Sequence, residues 1–450
     1  MTTRTHASFE RLIGVEEELL LVDPETGVPV PRSGAVLATA HAESGRAIQG
    51  SAPATHLEAE LKREQIEVVS APCATLSGLA IEVAAGRRLA DVAARAAGAR
   101  AVALGTSPAP VDSHLMQSSR FRSLAKQYPL TTREQLTCGL HVHVTVSDDE
   151  EGVAVIDRVR PWLPVLLALS ANSPLWQGVD TGFASYRHQV WGRWPSAGST
   201  EVFGSAAAYH GIVERMVETG ALLDRGMVYF DARLSDRYPT VEIRVSDVCM
   251  SARRAVGLAG IVRGLVETEA AAWRRGEPLE AVPTTLVRLA MWTASRFGLE
   301  AELIHPVEQQ PRPAAEAVEA LLDHVSPALE ETGDLAEVRG IVAEILREGT
   351  GAERQRSLIA QGASYAELVA DAVAVTHRPV AREMRPGQRR VYIRHMRTKE
   401  IDGIVYTLTR RDAPGPDLDA WYWLGADGSV AELDEAEHRA LRVSEVILDE

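Results

Sequence analysis

The segment CGLHVHVTV, residues 138–146, places two imidazoles on one face of a strand. Leu140, Val142, Val144 and Val146 point one way, and His141 and His143 the other. Three further segments follow the same grammar. In IGVEEELLLV, residues 13–22, Glu16 and Glu18 share a face that Leu20 and Val22 continue, opposite Val15, Glu17, Leu19 and Leu21. In EQIEVVS, Glu67 lies with Gln65 and Val69, and in TVEIRVSD the alternation sets Glu242, Arg244 and Ser246 against Val241, Ile243 and Val245. Paired carboxylates repel unless a cation or an arginine lies between them, and imidazole serves as a metal ligand or as an acid and base.

Each segment alone has an ordinary fate: a solvated Glu pair, two core histidines satisfied by hydrogen bonds, or a structural Glu–Arg pair. The histidine pair equally suits the zinc site of a metal-dependent amidohydrolase. It is the repetition that carries information. A sheet with helices on its apolar side would gather Glu16, Glu18, Glu67, His141, His143, Glu242 and Arg244 on the other. Carboxylate-rich ligation with an imidazole favours Mg²⁺ or Mn²⁺ over a closed zinc site, and metal with arginine suits phosphoryl transfer. The stretch SANSPLWQGVDTGFASYRHQVWGRWPSAG has the composition of a binding loop, and its Arg187 and Arg193 are candidates for bidentate capture of a carboxylate or phosphate.

The elements that must position these groups are legible in the periodicity. Strands are expected at 13–22, 66–70, 101–104 and 138–146, and on either side of the Asp236–Pro239 turn. Helices are expected at 76–97, where alanines, leucines and arginines suggest a surface helix stopped by Gly98, at 153–169 and 206–223, and almost throughout 252–346. This is an α+β pattern. Near His377 the character changes to a basic, turn-rich stretch. RRVYIRHM, GIVYTLTR and DAWYWLGADGSVAEL then read as short strands, the last pair joined at Asp427-Gly428. The expected division is a domain over 1–377 and a small β-rich module over 378–450, in which Trp421, Tyr422 and Trp423 pack a hairpin core or meet a partner or carrier.

Composition bounds the function. A net charge of −15 argues against a nucleic acid partner, and with only Lys62, Lys126 and Lys399 as lysines the chain has no P-loop motif. GLAGIVRG has the wrong spacing for a dinucleotide fingerprint. The three cysteines, Cys73, Cys138 and Cys249, form no close pair, and the apolar run 162–176 is broken by Pro164, Asn172 and Pro174. A reduced cytoplasmic protein that acts on small molecules, away from membranes, is expected.

IGVEEELLLVDPETG, EQIEVVSAPC, CGLHVHV, LSANSPLWQGVDTGFASYR and TVEIRVSDVC, in this order over 11–377, resemble the carboxylate-amine ligases of the glutamate-cysteine ligase type 2 group, the YbdK-like family. The resemblance implies a glutamine synthetase-like fold, a curved antiparallel sheet lining the active site with helices outside, and ATP-dependent amide formation through an acyl phosphate. It implies Glu16, Glu18, Glu67, His141 and Glu242 as ligands of Mg²⁺ or Mn²⁺, and Arg244 as the group that neutralises phosphate charge. Arg187 and Arg233 would bind the substrate carboxylate or phosphate, and His143, with Arg193, would lie on the ATP side. The acid would be glutamate or similar, the acceptor cysteine or another amine, and the enzyme a homo-oligomer. A glutamate- or nucleotide-sensing protein without catalysis is the non-enzymatic alternative.

Overall fold

The computed structural model describes residues 11–44, 55–280 and 282–379, together with four strands within 398–432. Its contacts divide the chain into Met1–Val380 and Ala381–Glu450. In the first unit seven strands form one sheet. They are β1 (Ile13–Val22), β2 (His56–Glu58), β3 (Gln65–Val69), β4 (Arg100–Val102), β5 (Gly139–Thr145), β6 (Ala232–Leu234) and β7 (Thr240–Asp247), in the order β2-β3-β1-β5-β7-β6, with β4 also on β1. Every pairing is antiparallel.

β1 is the hub. Its first half pairs with β5 through Ile13–Glu17, its middle with β3 through Glu16–Leu20, and its end with β4 through Leu20–Val22. Leu19, Leu20, Leu21 and Val22 are all buried, so the Glu16/Glu18 face is covered at its far end, as Leu20 and Val22 foretold. Each such side chain fully removed from water contributes about 1.5–3 kcal/mol.

Val15, Leu140, Val142, Val144, Val241, Ile243 and Val245 form one core with the helices Leu76–Ala96, Asp149–Val159, Leu163–Ser170 and Ala252–Arg274. The first of these is not a surface helix: Gly86 sits so close to β3 that a Cβ there would lie 2.3 Å from Val68 Cγ1, and Arg87 is buried. The helix ends as expected, with Gly98 in the left-handed region at φ +72°. The single helix expected over 153–169 is two, because Pro164 is tolerated only in the first turn of a helix and opens the second one. Beyond Ala252 the helical region is broken into Ala252–Arg274, Thr284–Phe297, Ala314–Glu331 and Leu335–Glu348.

In the second unit Thr398–Ile401, Ile404–Arg410, Trp421–Gly425 and Val430–Glu432 form an antiparallel sheet in sequence order. The expected strand at 389–396 and the Asp427-Gly428 turn lie outside the described residues. No helix among the described residues is long and apolar enough to cross a membrane.

Candidate active site

Strand register assembles the site. Glu18 stands opposite Glu67, which in turn faces Glu58 on β2. Two residues along β1, Glu16 faces His141, and on the next pair of strands His143 faces Glu242, which faces Arg233 on β6. Directly opposed residues share a face of the sheet, so charged groups from six strands meet on one side.

Their contacts are short. Glu16 lies between the imidazoles, with Oε2 3.3 Å from His141 Nδ1 and Oε1 3.2 Å from His143 Nε2. Glu18 Oε2 accepts the Gly139 N–H at 2.5 Å. Glu242 is held from both sides. Arg233 donates to it through Nε at 2.6 Å and Nη2 at 3.2 Å, and Arg244 Nη1 donates to its Oε1. His143 Nδ1 meets Thr240 Oγ1 at 3.0 Å, whereas the buried Nε2 of His141 has no hydrogen-bond partner.

The electrostatics divide the carboxylates. Burial and then the charges of Glu16, Glu60 and Glu18 push the Glu67 carboxyl well above its usual range. Burial and Glu18 push Glu60 up to about 8. For Glu16, burial is outweighed by hydrogen bonds and charge from His141 and His143, and for Glu242 by Arg244 and Arg233, so both are held low. Burial and the neighbouring Arg244 lower His141; His143 is raised, because Glu242 and Glu16 overcome its burial.

Among the described residues, ligand atoms lie within 4.8 Å of one another inside each of three groups: Glu16, Glu67 and His141; Glu16, His143 and Glu242; Glu18, Glu60 and Glu67. An orphaned imidazole nitrogen beside carboxylates forced toward protonation fits a divalent cation, and the oxygen-rich donor set fits Mg²⁺ or Mn²⁺. Glu242 enters this arrangement already engaged by two guanidiniums.

The strand alternation left out Glu60, whose carboxylate lies within ligand distance of Glu18 and Glu67; the run of Glu58, Glu60 and Glu64 just before β3 is the signal that could have found it. The alternation also placed Ser246 on the active face. A β-bulge sets Arg244 and Val245 of β7 against His141 alone, so the alternation slips by one: Ser246 pairs with Leu140 and Asp247 with Gly139. Asp247 is therefore the inward residue. It accepts from Asn172 N–H at 2.8 Å and from the Ser173 and Ser185 hydroxyls at 2.7 and 2.8 Å, anchoring the SANSPLWQ loop beneath the sheet end.

Arg187 reaches the same face but is buried. Its guanidinium lies over Gly139, where a Cβ would stand 2.1 Å from Nη2, and it donates to the Val245 and Arg244 carbonyls at 3.4 Å. Arg187 and Arg244 both flank Trp191, at 5.9 and 5.8 Å from its ring centroid. Arg193 is not brought to this group, because Nη1 pairs with Glu134 at 2.5 Å near the surface.

A sequence profile described as glutamate-cysteine ligase family 2 matches residues 12–392. A protein of Paenarthrobacter aurescens named "Putative glutamate–cysteine ligase 2-1" is 50% identical over 367 residues, 82% of this chain and 95% of that protein. One of Streptomyces coelicolor, bearing the same name without the suffix, is 51% identical over 367 residues, 81% of this chain and 99% of its own. Among solved structures, a bifunctional glutathione synthetase from Pasteurella multocida aligns with a TM-score of 0.60 at 15% identity, covering 95% of this chain and 61% of that one. A glutamate–cysteine ligase from Francisella tularensis, solved with AMP, aligns at 0.56 and 13%, covering 84% and 90%. At such identities the likeness shows the fold, an antiparallel sheet with flanking helices shared with these two structures. With half of its residues shared over nearly the whole length of its relatives, the chain belongs to glutamate-cysteine ligase family 2 and is an ATP-dependent ligase that forms carbon–nitrogen bonds.

Proposed function

We propose that the enzyme joins the side-chain carboxylate of glutamate, or of a similar acid, to an amine through an acyl phosphate. The observation that carries this reading is the convergence of Glu16, Glu18, Glu60 and Glu67 with His141, His143 and Arg244 on one face. Glu16, Glu18, Glu60, Glu67 and His141 would hold Mg²⁺ or Mn²⁺, with His143 and Glu242 beside them; the cations would offset carboxylate charge and polarise phosphate oxygens. Arg244, kept charged in a buried setting by Glu242 and Glu16, supplies the guanidinium that meets charge on the transferred phosphoryl group. A substrate carboxylate oxygen attacks the γ-phosphorus and ADP leaves. The amine nitrogen then attacks the acyl carbon, the C–O bond to phosphate breaks, and the amine proton passes to solvent or to the departing phosphate. The names of the relatives favour cysteine as one acceptor to test.

The purified chain, given ATP, Mg²⁺, glutamate and a panel of amines that includes cysteine, is expected to release phosphate and form an amide detectable by mass spectrometry. Glu67→Gln should lower that rate at least about hundredfold, the scale of losing one preorganised electrostatic group. Silence across the panel, or ATP-independent amide hydrolysis by a zinc-loaded protein using His141 and His143, would overturn the reading.

A further inference from the structure

Adjacent residues in the turn between β6 and β7 touch strands that are far apart in the sheet. Arg237 Nη1 lies 3.7 Å from Glu58 Oε2 on β2, the edge strand. The Tyr238 ring meets His143 of β5 edge-on, with centroids 6.3 Å apart. β3 and β1 lie between β2 and β5, and three strand spacings span roughly 14 Å in a flat sheet. For neighbours in sequence to reach both, the turn must stand over the Glu18–Glu67 and Glu16–His141 rows. It is braced there: the Ser235 hydroxyl accepts both the Arg237 and Tyr238 N–H groups at 3.3 Å, the Tyr238 carbonyl accepts from Thr240 N–H at 2.7 Å, and Arg225 pairs with Asp236 at 3.2 Å.

The guanidiniums around the face are unequally committed. Arg233 and Arg244 are bound to Glu242, and Arg187 is buried against backbone carbonyls. Arg237 is 73% exposed and held to Glu58 beyond hydrogen-bond distance, the kind of surface pair that contributes little. Turning toward an incoming anion therefore sacrifices little, and a polyphosphate offers shorter, charge-assisted bonds. Beside it, Tyr238 leaves about half of its surface uncovered, and among the described residues its one ring contact is the edge-on meeting with the His143 imidazole.

We propose that Arg237 and Tyr238 hold the nucleotide, the guanidinium leaving Glu58 for the polyphosphate of ATP and the phenol ring packing on the purine. The assignment rests on the ligase reading above and adds to it the residues that roof the nucleotide end of the site.

The test is calorimetric titration of the full chain with ATP or AMP in the presence of Mg²⁺, without an acceptor acid. Arg237→Ala is expected to weaken ATP about tenfold and AMP no more than about threefold, since the loss tracks the number of phosphates. Tyr238→Ala should weaken both nucleotides about equally, and Tyr238→Phe should restore them. In turnover, both alanine variants should raise the KM for ATP and leave that for glutamate unchanged. Affinities equal to the parent's in both alanine variants would overturn the proposal, as would equal losses of ATP and AMP in Arg237→Ala. A parent protein that binds no nucleotide would sink the ligase reading itself, a result distinct from either.

Discussion

Glu17 and its neighbours Glu16 and Glu18 stand on opposite faces of one strand and have opposite electrostatic fates. Glu17 points into the helix layer, where Arg87 grips it through Nε at 2.9 Å and Nη2 at 2.6 Å. The other donors of Arg87 go to the carbonyls of Cys249 at 2.7 Å, Met250 at 2.8 Å and Thr376 at 3.3 Å. Both partners are buried and every donor is used, so the pair ties the sheet to the helix Leu76–Ala96, to the end of β7 and to the last helix of the unit. On the other face four glutamates, Glu16, Glu18, Glu60 and Glu67, crowd together while the arginines nearby go to Glu242. The difference teaches where stability and the proposed function part: one face neutralises its carboxylate with a buried guanidinium, while the other, among the described residues, leaves Glu18, Glu60 and Glu67 clustered without an arginine of their own, the arrangement on which the cation proposal rests.

The largest effect should follow from breaking the satisfied pair. Arg87→Ala leaves Glu17 buried and unpaired, and is expected to lower unfolding free energy by about 3–5 kcal/mol in urea titration. A loss below about 1 kcal/mol would mean that the pair is not the fastener described. The reverse is expected across the strand. Glu67→Gln removes one of several repelling carboxylates, so without metal the variant should be as stable as the parent or more stable. Millimolar Mg²⁺ should then stabilise the parent by about 1–3 kcal/mol, the linkage expected at ten to a hundred times the dissociation constant, and the variant by much less. Equal Mg²⁺ shifts in thermal unfolding would show that this face is not where the cation binds.

How much of this was open to the sequence depends on the range over which each feature is decided. β1 runs over Ile13–Val22 as its alternation predicts, and its two faces are those read from spacing, because side-chain direction in a strand is a local property. The partner of Glu17 was not readable: Arg87 lies seventy residues away, one of three arginines on a helix that looked like a surface one. The bulge in β7 left one mark in the sequence, since TVEIRVSD alternates through Ser246 and then sets Asp247 where an apolar residue is due, but only pairing with β5 reveals the slip that turns Asp247 inward. Arg193 looked like a ligand-binding group by composition, yet Glu134, on a segment with no motif, takes it. Glu60 was visible as charge and not as place. Local pattern gave the chemistry of the face; the contacts that decide which charges are neutralised are long-range.

The smallest test sharpens the same contrast through pH. Asp91, one turn beyond Arg87 on the outer helix, is bound by Arg100 at 2.7 and 3.1 Å and by Arg95 at 2.9 Å. Burial works to raise its pKa, but the hydrogen bond from Arg100 and the charges of His377 and Arg100 hold it below the ordinary 3.8, the opposite direction from Glu67. A carboxyl depressed in the folded state contributes stability above its unfolded pKa and loses that contribution as pH falls through the folded value. Asp91→Asn should therefore cost about 1 kcal/mol at pH 7, the scale of a partly exposed charged pair. The gap between variant and parent should close as pH drops below about 4. A gap that persists undiminished at pH 3 would mean that Asp91 acts through hydrogen-bond shape and not through charge, and the contrast with Glu67 would then not be electrostatic.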